Sequence, residues 1–339
     1  MEVCVNCFKD NELQGFISSS KILGDCKVCN STKVPLLDIS ELLDFFQELF
    51  SNFRITGTGI SLKSKINGDW NFFSSDRTAT IILNETLRRV STVLATSEDS
   101  VDYNENITEN YSHWEALKNE LKWTKRFLIN IEHITDDLGW DGFFNTQFEL
   151  KPDINLYRAR VHHKHGQLAY SPAEMMAPEP QIVKSGRANP LGIPFLYLSD
   201  NPETVLYEVR ASYLDELSIG TFHLKEQYKS AKIVDFTENA SLFQPGKVNE
   251  TIKARLLREK ISLDLSKPMR RYDTELDYIP TQFICEFIKT FTGSSGIRFN
   301  SSLHPSGKNV VIFDQALMGC TEVVLKRVNS LNLTAMDLT

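Results

Sequence analysis

Four cysteines within the first 29 residues restrict the start of this chain more than any other feature. Cys4, Cys7, Cys26 and Cys29 follow the pattern C-x2-C-x18-C-x2-C. Each CxxC turn sets two thiolates on one side of a tight turn, and two such turns complete a tetrahedral Zn²⁺ site. Four protein ligands leave no open coordination position, so the expected Zn²⁺ is structural rather than catalytic. The competing reading is a pair of disulfides. Met1-Glu2-Val3-Cys4 lacks the basic and apolar regions of a secretory signal. A cytoplasmic, reducing location is therefore expected, where disulfides are rare. Cys285 and Cys320 stand among apolar neighbours and read as buried structural thiols.

A chain of 339 residues, 41% hydrophobic and 24% charged, supports two or three domains with sizeable cores. No run approaches the roughly 18 apolar residues of a membrane span. The net charge of −7 is unevenly placed: residues 1–150 hold 14 Lys and Arg against 23 Asp and Glu, and residues 151–339 hold 23 against 21. An acidic front half argues against nucleic acid as a partner, because duplex binding relies on neutralising phosphates. The clustered arginines of the back half suit a small phosphate ligand better than a long polyanion.

After a zinc-binding knuckle (residues 1–35), residues 36–150 read as a mostly helical domain. The spacing predicts a helix over 38–53, capped by Asp38 or Ser40, with Leu42, Phe45, Phe46, Leu49 and Phe50 on its apolar face. A second helical pattern covers 77–95. The polar stretch Ser97 to Ser112 reads as a loop, and a third helix is expected from about Trp114 to Leu138. Arg126 and His133, with six residues between them, resemble the R-x(4–6)-H signature of HEPN ribonucleases. An Arg and a His on the wet side of a helix explain the pair equally simply, so an HEPN-like scaffold without nuclease activity is the preferred reading.

From residue 154 the texture changes to short strands alternating with short helices. Ile154 to Val161 reads as a strand with Arg158 and Arg160 on one face. Two such arginines need a shared anion or carboxylates nearby, and guanidinium forks grip oxyanions bidentately. One of the two is expected merely to face solvent. The Gly-, Asn- and Pro-rich run Ser185 to Pro194 marks a shaped loop leading into the strand Phe195 to Ser199. A helix capped by Asp200 or Asn201 is expected to run to about Leu217. It carries Glu208 between Leu206 and Val209, where a carboxylate needs a partner or a function. His162, His163 and His165 have metal-like spacing but no acidic or cysteine partner close by, and read as an exposed loop.

These pieces, taken in order, resemble the RES-domain family. They are Leu156-Tyr157-Arg158, Gly186-Arg187-Ala188-Asn189-Pro190-Leu191-Gly192, Tyr197, the helix Pro202 to Val209 with Glu208, Tyr278-Ile279-Pro280-Thr281-Gln282, and Gly296 to Ser302 before the strand Asn309 to Phe313. The resemblance covers about 154–325. It departs from the family pattern at Ala188, where the family usually has an aromatic residue, and leaves the final serine open between Ser301 and Ser302, with register favouring Ser301.

The resemblance implies an α+β chain whose residues 151–339 form an ADP-ribosyltransferase-like mixed α/β domain, with a toxin-type activity that cleaves NAD⁺ at the nicotinamide–ribose bond. It implies that Glu208 stabilises the ribosyl cation, that Arg158 and Arg187 hold phosphate or ribose oxygens, and that Tyr197 packs against nicotinamide or its ribose. Ser301 would position the amide or the Glu208 carboxylate, and Asn189 would shape its loop or touch the ligand. Water and phosphate are both open as acceptors. Transfer of ADP-ribose to a macromolecule is the competing enzyme reading, and an interaction module in the front half is the non-enzymatic one. NAD⁺, a protein antitoxin or regulator, and a second copy of the chain are the partner classes to consider.

Overall fold

The two CxxC pairs punctuate a small antiparallel sheet. The structure, a computed structural model, describes residues 1–238, 240–268 and 274–330. The first pair closes strand β1 (Glu2–Cys4), and helix α1 (Asn11–Ser18) follows. The second pair lies in the turn between β2 (Leu23–Gly24) and β3 (Val34–Asp38). The strand order is β1-β3-β2, with Cys4 opposite Leu36. Cys4 and Cys7 are fully buried.

The chain divides into two compact units: residues 1–115 with 239–257, and residues 116–238 with 258–339. The first unit also holds α2 (Leu43–Phe50), β4 (Phe53–Ser61), α3 (Leu62–Trp70), α4 (Asp76–Leu87), β5 (Ser100–Tyr103) and the start of α5 (Glu105–Trp123). The apolar face expected for 38–53 is buried through Leu42, Phe45, Phe46, Leu49 and Phe50. Its rings join an aromatic cluster in which Phe45 meets Phe72 at 5.7 Å and Phe243 at 5.0 Å. Offset and edge-on ring pairs of this kind add to what burial alone contributes. Asp10 caps α1 through the Leu13 N–H at 3.0 Å, and its carboxylate also accepts the Leu242 N–H at 2.7 Å.

The polar stretch read as a loop carries two elements instead. Ser100–Tyr103 pairs with β4, with Val101 and Tyr103 pointing inward, and Asn104 caps α5 by accepting the Ile107 N–H at 3.2 Å. The alternation spans only four residues, so the surrounding acids and asparagines hide it. Helix α5 also stops early. Arg126 donates to the Leu121 and Lys122 carbonyls, a cap on groups that a helix end leaves unpaired.

In the second unit, eight strands form one mixed sheet: β6 (Gln147–Leu150), β7 (Leu156–Val161), β8 (Leu196–Ser199), β9 (Glu216–Leu224), β10 (Ala231–Asp235), β11 (Gly296–Asn300), β12 (Lys308–Ile312) and β13 (Met318–Arg327). Their order is β13-β9-β7-β8-β12-β11-β10-β6, and only β10 and β11 run parallel. Helices α6 (Thr204–Glu208), α7 (Val248–Ser266) and α8 (Ile279–Phe291) complete the set, with α7 beginning in the first unit. One core gathers Leu156, Leu196, Leu198, Phe222, Ile233 and Val310. A smaller one gathers Ala159, Val205, Leu217 and Ile219. The parallel pair is pinned by a buried Arg298–Asp235 ion pair at 3.1 Å. No helix among the described residues is long and apolar enough to cross a membrane.

Helix α6 ends at Glu208, not near Leu217. Arg210 (φ 52°) and Leu214 (φ 70°) adopt left-handed backbone, and a turn in which the Ser212 N–H donates to Asp215 leads into β9. Left-handed residues end a helix, and neither is the glycine that would have marked this in the sequence.

Candidate active site

Arg158 enters the site on β7, an interior strand between β9 and β8. It borders a cavity of about 570 Å³ in the second unit, a volume suited to a small-molecule ligand. Its Nη1 is enclosed and has no hydrogen-bond partner among the described residues. Burial, reinforced by the neighbouring Arg160 charge, pushes its guanidinium down to about 10. Arg160 is otherwise engaged, donating to the Met176 carbonyl at 2.8 Å. The strand's two arginines thus separate into one that borders the cavity and one that braces a loop.

Arg187 also borders the cavity. Its Nη1 donates to the Asp264 carbonyl at 3.0 Å, and its guanidinium lies 5.6 Å from the Tyr278 ring centre. The loop carrying it is held from within. Asn189 Nδ2 lies 3.0–3.1 Å from the carbonyls of Lys184, Pro190 and Ile193. Gln282 Nε2 reaches the Gly186 and Asn189 carbonyls, and Thr281 Oγ1 donates to the Arg187 carbonyl at 2.6 Å. Asn189 is 2% exposed, so the structure places it behind the loop rather than on the cavity wall. Gly186 has no room for a side chain: a Cβ there would meet Asn189 Oδ1 at 2.5 Å and the Tyr197 hydroxyl at 2.7 Å.

Tyr197, on β8, lines the cavity, while its hydroxyl accepts the Ala188 N–H at 3.0 Å. Burial pushes that hydroxyl well above its ordinary pKa. Ala188 is fully buried, so the departure from the family's aromatic residue leaves the loop closed.

Glu208 lines the cavity from the last residue of α6. Ser301 Oγ donates to its Oε1 at 2.7 Å, and so does Asn309 Nδ2, also at 2.7 Å. The structure therefore brings Ser301, not Ser302, to the carboxylate. Ser302 borders the cavity. Arg158, Arg187, Tyr197 and Glu208 share one cavity with Ser301 attached through Glu208. Sequence reasoning missed Asn309. It took Asn309 only as the start of a strand, although an asparagine entering an apolar strand was an available signal. Tyr278, Arg210 and Lys267 are further cavity residues that it left without a role. The charged lining is Arg158, Arg187, Arg210 and Lys267 against Glu208, which favours an anionic ligand.

Other expectations resolve locally. His162 is buried, stacks on Tyr170 at 4.5 Å and bonds Ser218 Oγ at 2.8 Å, so it belongs to the packing and not to an exposed loop. His165 bonds Glu216 at 3.0 Å. His133 bonds Asp137 at 2.7 Å. Cys285 is fully buried as expected, whereas Cys320 is only half-buried. Among the described residues, the one cluster of His, Cys, Asp or Glu suited to a metal is Cys4, Cys7, Cys26 and Cys29, whose sulfurs all lie within 4.8 Å of one another.

No curated protein matches the chain. Among solved structures, a chain from the crystal structure of the M. tuberculosis MbcT–MbcA toxin–antitoxin complex is similar at 13% identity and a TM-score of 0.30, over 56% of this chain and 92% of that one. The model of the RES domain matches residues 155–334, more than half of the sequence and the whole of the cavity described above. The chain belongs to the RES-domain family.

Proposed function

We propose that this chain is a toxin-type enzyme that cleaves NAD⁺ at the nicotinamide–ribose bond. The observation that carries the reading is a hydrogen-bonded carboxylate, Glu208, in the same cavity as Arg158, whose buried Nη1 has no partner among the described residues. Cleavage breaks the bond between ribose C1′ and the nicotinamide nitrogen, and the electron pair leaves with neutral nicotinamide. The transition state resembles an oxocarbenium ion, as in glycoside hydrolysis. Nicotinamide departs from a cationic nitrogen, so no general acid is needed. What the site must supply is a negative charge beside the ribose and a grip on the diphosphate. Glu208 suits the first role, and Arg158 and Arg187 suit the second. Tyr197, which lines the same cavity, suits packing against the nicotinamide or its ribose. Water then adds at C1′ and releases a proton, or phosphate adds in its place. A protein antitoxin or regulator is the partner class that this reading implies.

The four N-terminal thiols fit a structural Zn²⁺. Tetrahedral zinc with Zn–S of about 2.3 Å places sulfurs about 3.8 Å apart, and Cys4–Cys7, Cys4–Cys29 and Cys7–Cys26 are separated by 3.9, 3.3 and 3.6 Å. No disulfide joins them. The ion would bind through these four residues, hold the β2–β3 turn against β1, and take no part in the reaction.

The test is free NAD⁺ followed over time with purified protein and with Glu208→Gln, with and without phosphate. The expected result is loss of NAD⁺ that the variant abolishes while remaining folded. Full turnover by the variant would remove Glu208 from the chemistry. Label transferred from NAD⁺ to protein or nucleic acid would replace hydrolysis with transfer.

A further inference from the structure

The hydrogen bonds at Glu208 run in one direction, from two donors to its carboxylate. An amide nitrogen only donates, so Asn309 Nδ2 requires Glu208 Oε1 as acceptor. Ser301 Oγ already accepts the Leu303 and His304 N–H groups, both at 3.2 Å. Its single proton is therefore free only for Glu208, again at Oε1. Two donors converge on one carboxylate oxygen. Oε2 accepts no hydrogen bond among the described residues, and Glu208 is exposed along the cavity wall.

The two donors come from different, well-anchored places. Asn309 sits on β12 opposite Ser199 on one side and Phe299 on the other, so both flanking strands fix its backbone. Ser301 begins the loop that leaves β11, and that loop is latched to α6. His304 Nδ1 lies 2.8 Å from Thr204 Oγ1, and its ring stacks on Tyr207 at 5.0 Å and 7°. Gly307 packs so closely on Thr204 that a side chain there would overlap it. The carboxylate of a five-residue helix is thus held from strand β12 and from the loop that leaves β11.

We propose that Asn309 is a positioning residue for the reaction: together with Ser301 it fixes the Glu208 carboxylate so that Oε2 alone is presented to the ribose. This inference rests on the NAD⁺-cleaving reading. A carboxylate held from one side presents its free oxygen in a fixed direction, and misplacement of about 1 Å can cost about 10²-fold in rate. Ser301 alone would leave the carboxylate free to rotate about that one bond.

The experiment compares wild type, Asn309→Asp and Asn309→Ala in steady-state NAD⁺ cleavage, with melting temperature recorded for each. Asn309→Asp keeps the size and removes the donor. We expect kcat to fall about tenfold or more in both variants, with KM within about threefold, the signature of an interaction used in the transition state rather than in binding. We expect Asn309→Asp to be the poorer of the two, since it sets a second acceptor against Oε1. If either variant fails to fold, Asn309→Ser, which keeps a donor on a shorter arm, serves in its place and should show an intermediate loss of kcat. Wild-type turnover with kcat unchanged in the variants overturns this inference and leaves the reading of the site intact. So does a loss confined to KM. Absence of turnover in wild type overturns that reading and this inference with it.

Discussion

The Tyr197 hydroxyl donates to Asn189 Oδ1 over 2.8 Å. The Tyr197 hydroxyl oxygen in turn accepts the Ala188 N–H, so one phenol ties a β-strand to the loop that carries Arg187. Tyr197→Phe keeps the ring on the cavity wall and removes only this tie. It leaves two buried polar groups unpaired, at a cost of about 1–3 kcal/mol for each unsatisfied group. The expected outcome is a lower melting temperature and a KM for NAD⁺ raised about tenfold, with kcat within about threefold. Steady-state kinetics beside calorimetry would decide. A fall in kcat at constant KM would make the hydroxyl part of the chemistry instead.

How much of this site was legible beforehand depended on what kind of contact each residue makes. Arg158, Glu208 and Ser301 were singled out because they sit in ordered motifs. Of the two serines, Ser301 is the one that bonds Glu208, a contact across 93 residues that no local pattern shows. Asn309 carried only a weak signal, an asparagine at the start of an apolar strand, and its partner lies 101 residues away. Asn189 was read with ligand contact as one of two roles, and the structure spends its amide on three carbonyls within its own loop. Among the elements, β7 and β8 were readable because short runs of apolar, β-branched and aromatic residues mark them. Strand β5 and the early end of α6 were not. The first is four residues long in polar surroundings, and the second is set by left-handed backbone at Arg210 and Leu214. The first unit also recruits residues 239–257 across more than a hundred intervening positions, a rearrangement that no local pattern announces.

The cysteine cluster gives a prediction that is independent of the cavity. Val3, Cys4, Cys7 and Phe8 are at most 1% exposed and belong to the core of the first unit, so loss of a metal there would open that core. Elemental analysis of purified protein should find one zinc per chain. Cys7→Ser should lose it and melt at a clearly lower temperature, because structural zinc contributes on the order of 10 kcal/mol to small domains. A strong chelator should reproduce the effect on wild type. Zinc-free protein with an unchanged melting curve would show that the four thiols pack as ordinary core residues.

Arg158 should oppose folding while serving the ligand. Burial holds its guanidinium at about 10, against 12.5 for the free group. Between those values the unfolded chain keeps a proton that the folded chain gives up, so this group's contribution to stability rises with pH across the window. At neutral pH the charged form is present in both states, and the fold bears the cost of burying it. Arg158→Met keeps the length and removes the charge. Its melting temperature at pH 7 should equal or exceed that of wild type, by about 2–4 °C for each kcal/mol recovered, while NAD⁺ cleavage is lost. In the Glu208→Gln background, where NAD⁺ persists, NAD⁺ should raise the melting temperature, since a ligand that binds only the folded state stabilises it. Adding Arg158→Met should abolish that rise. A variant that melts well below wild type and still gains stability from NAD⁺ would make Arg158 a structural residue of β7 and leave the diphosphate to Arg187.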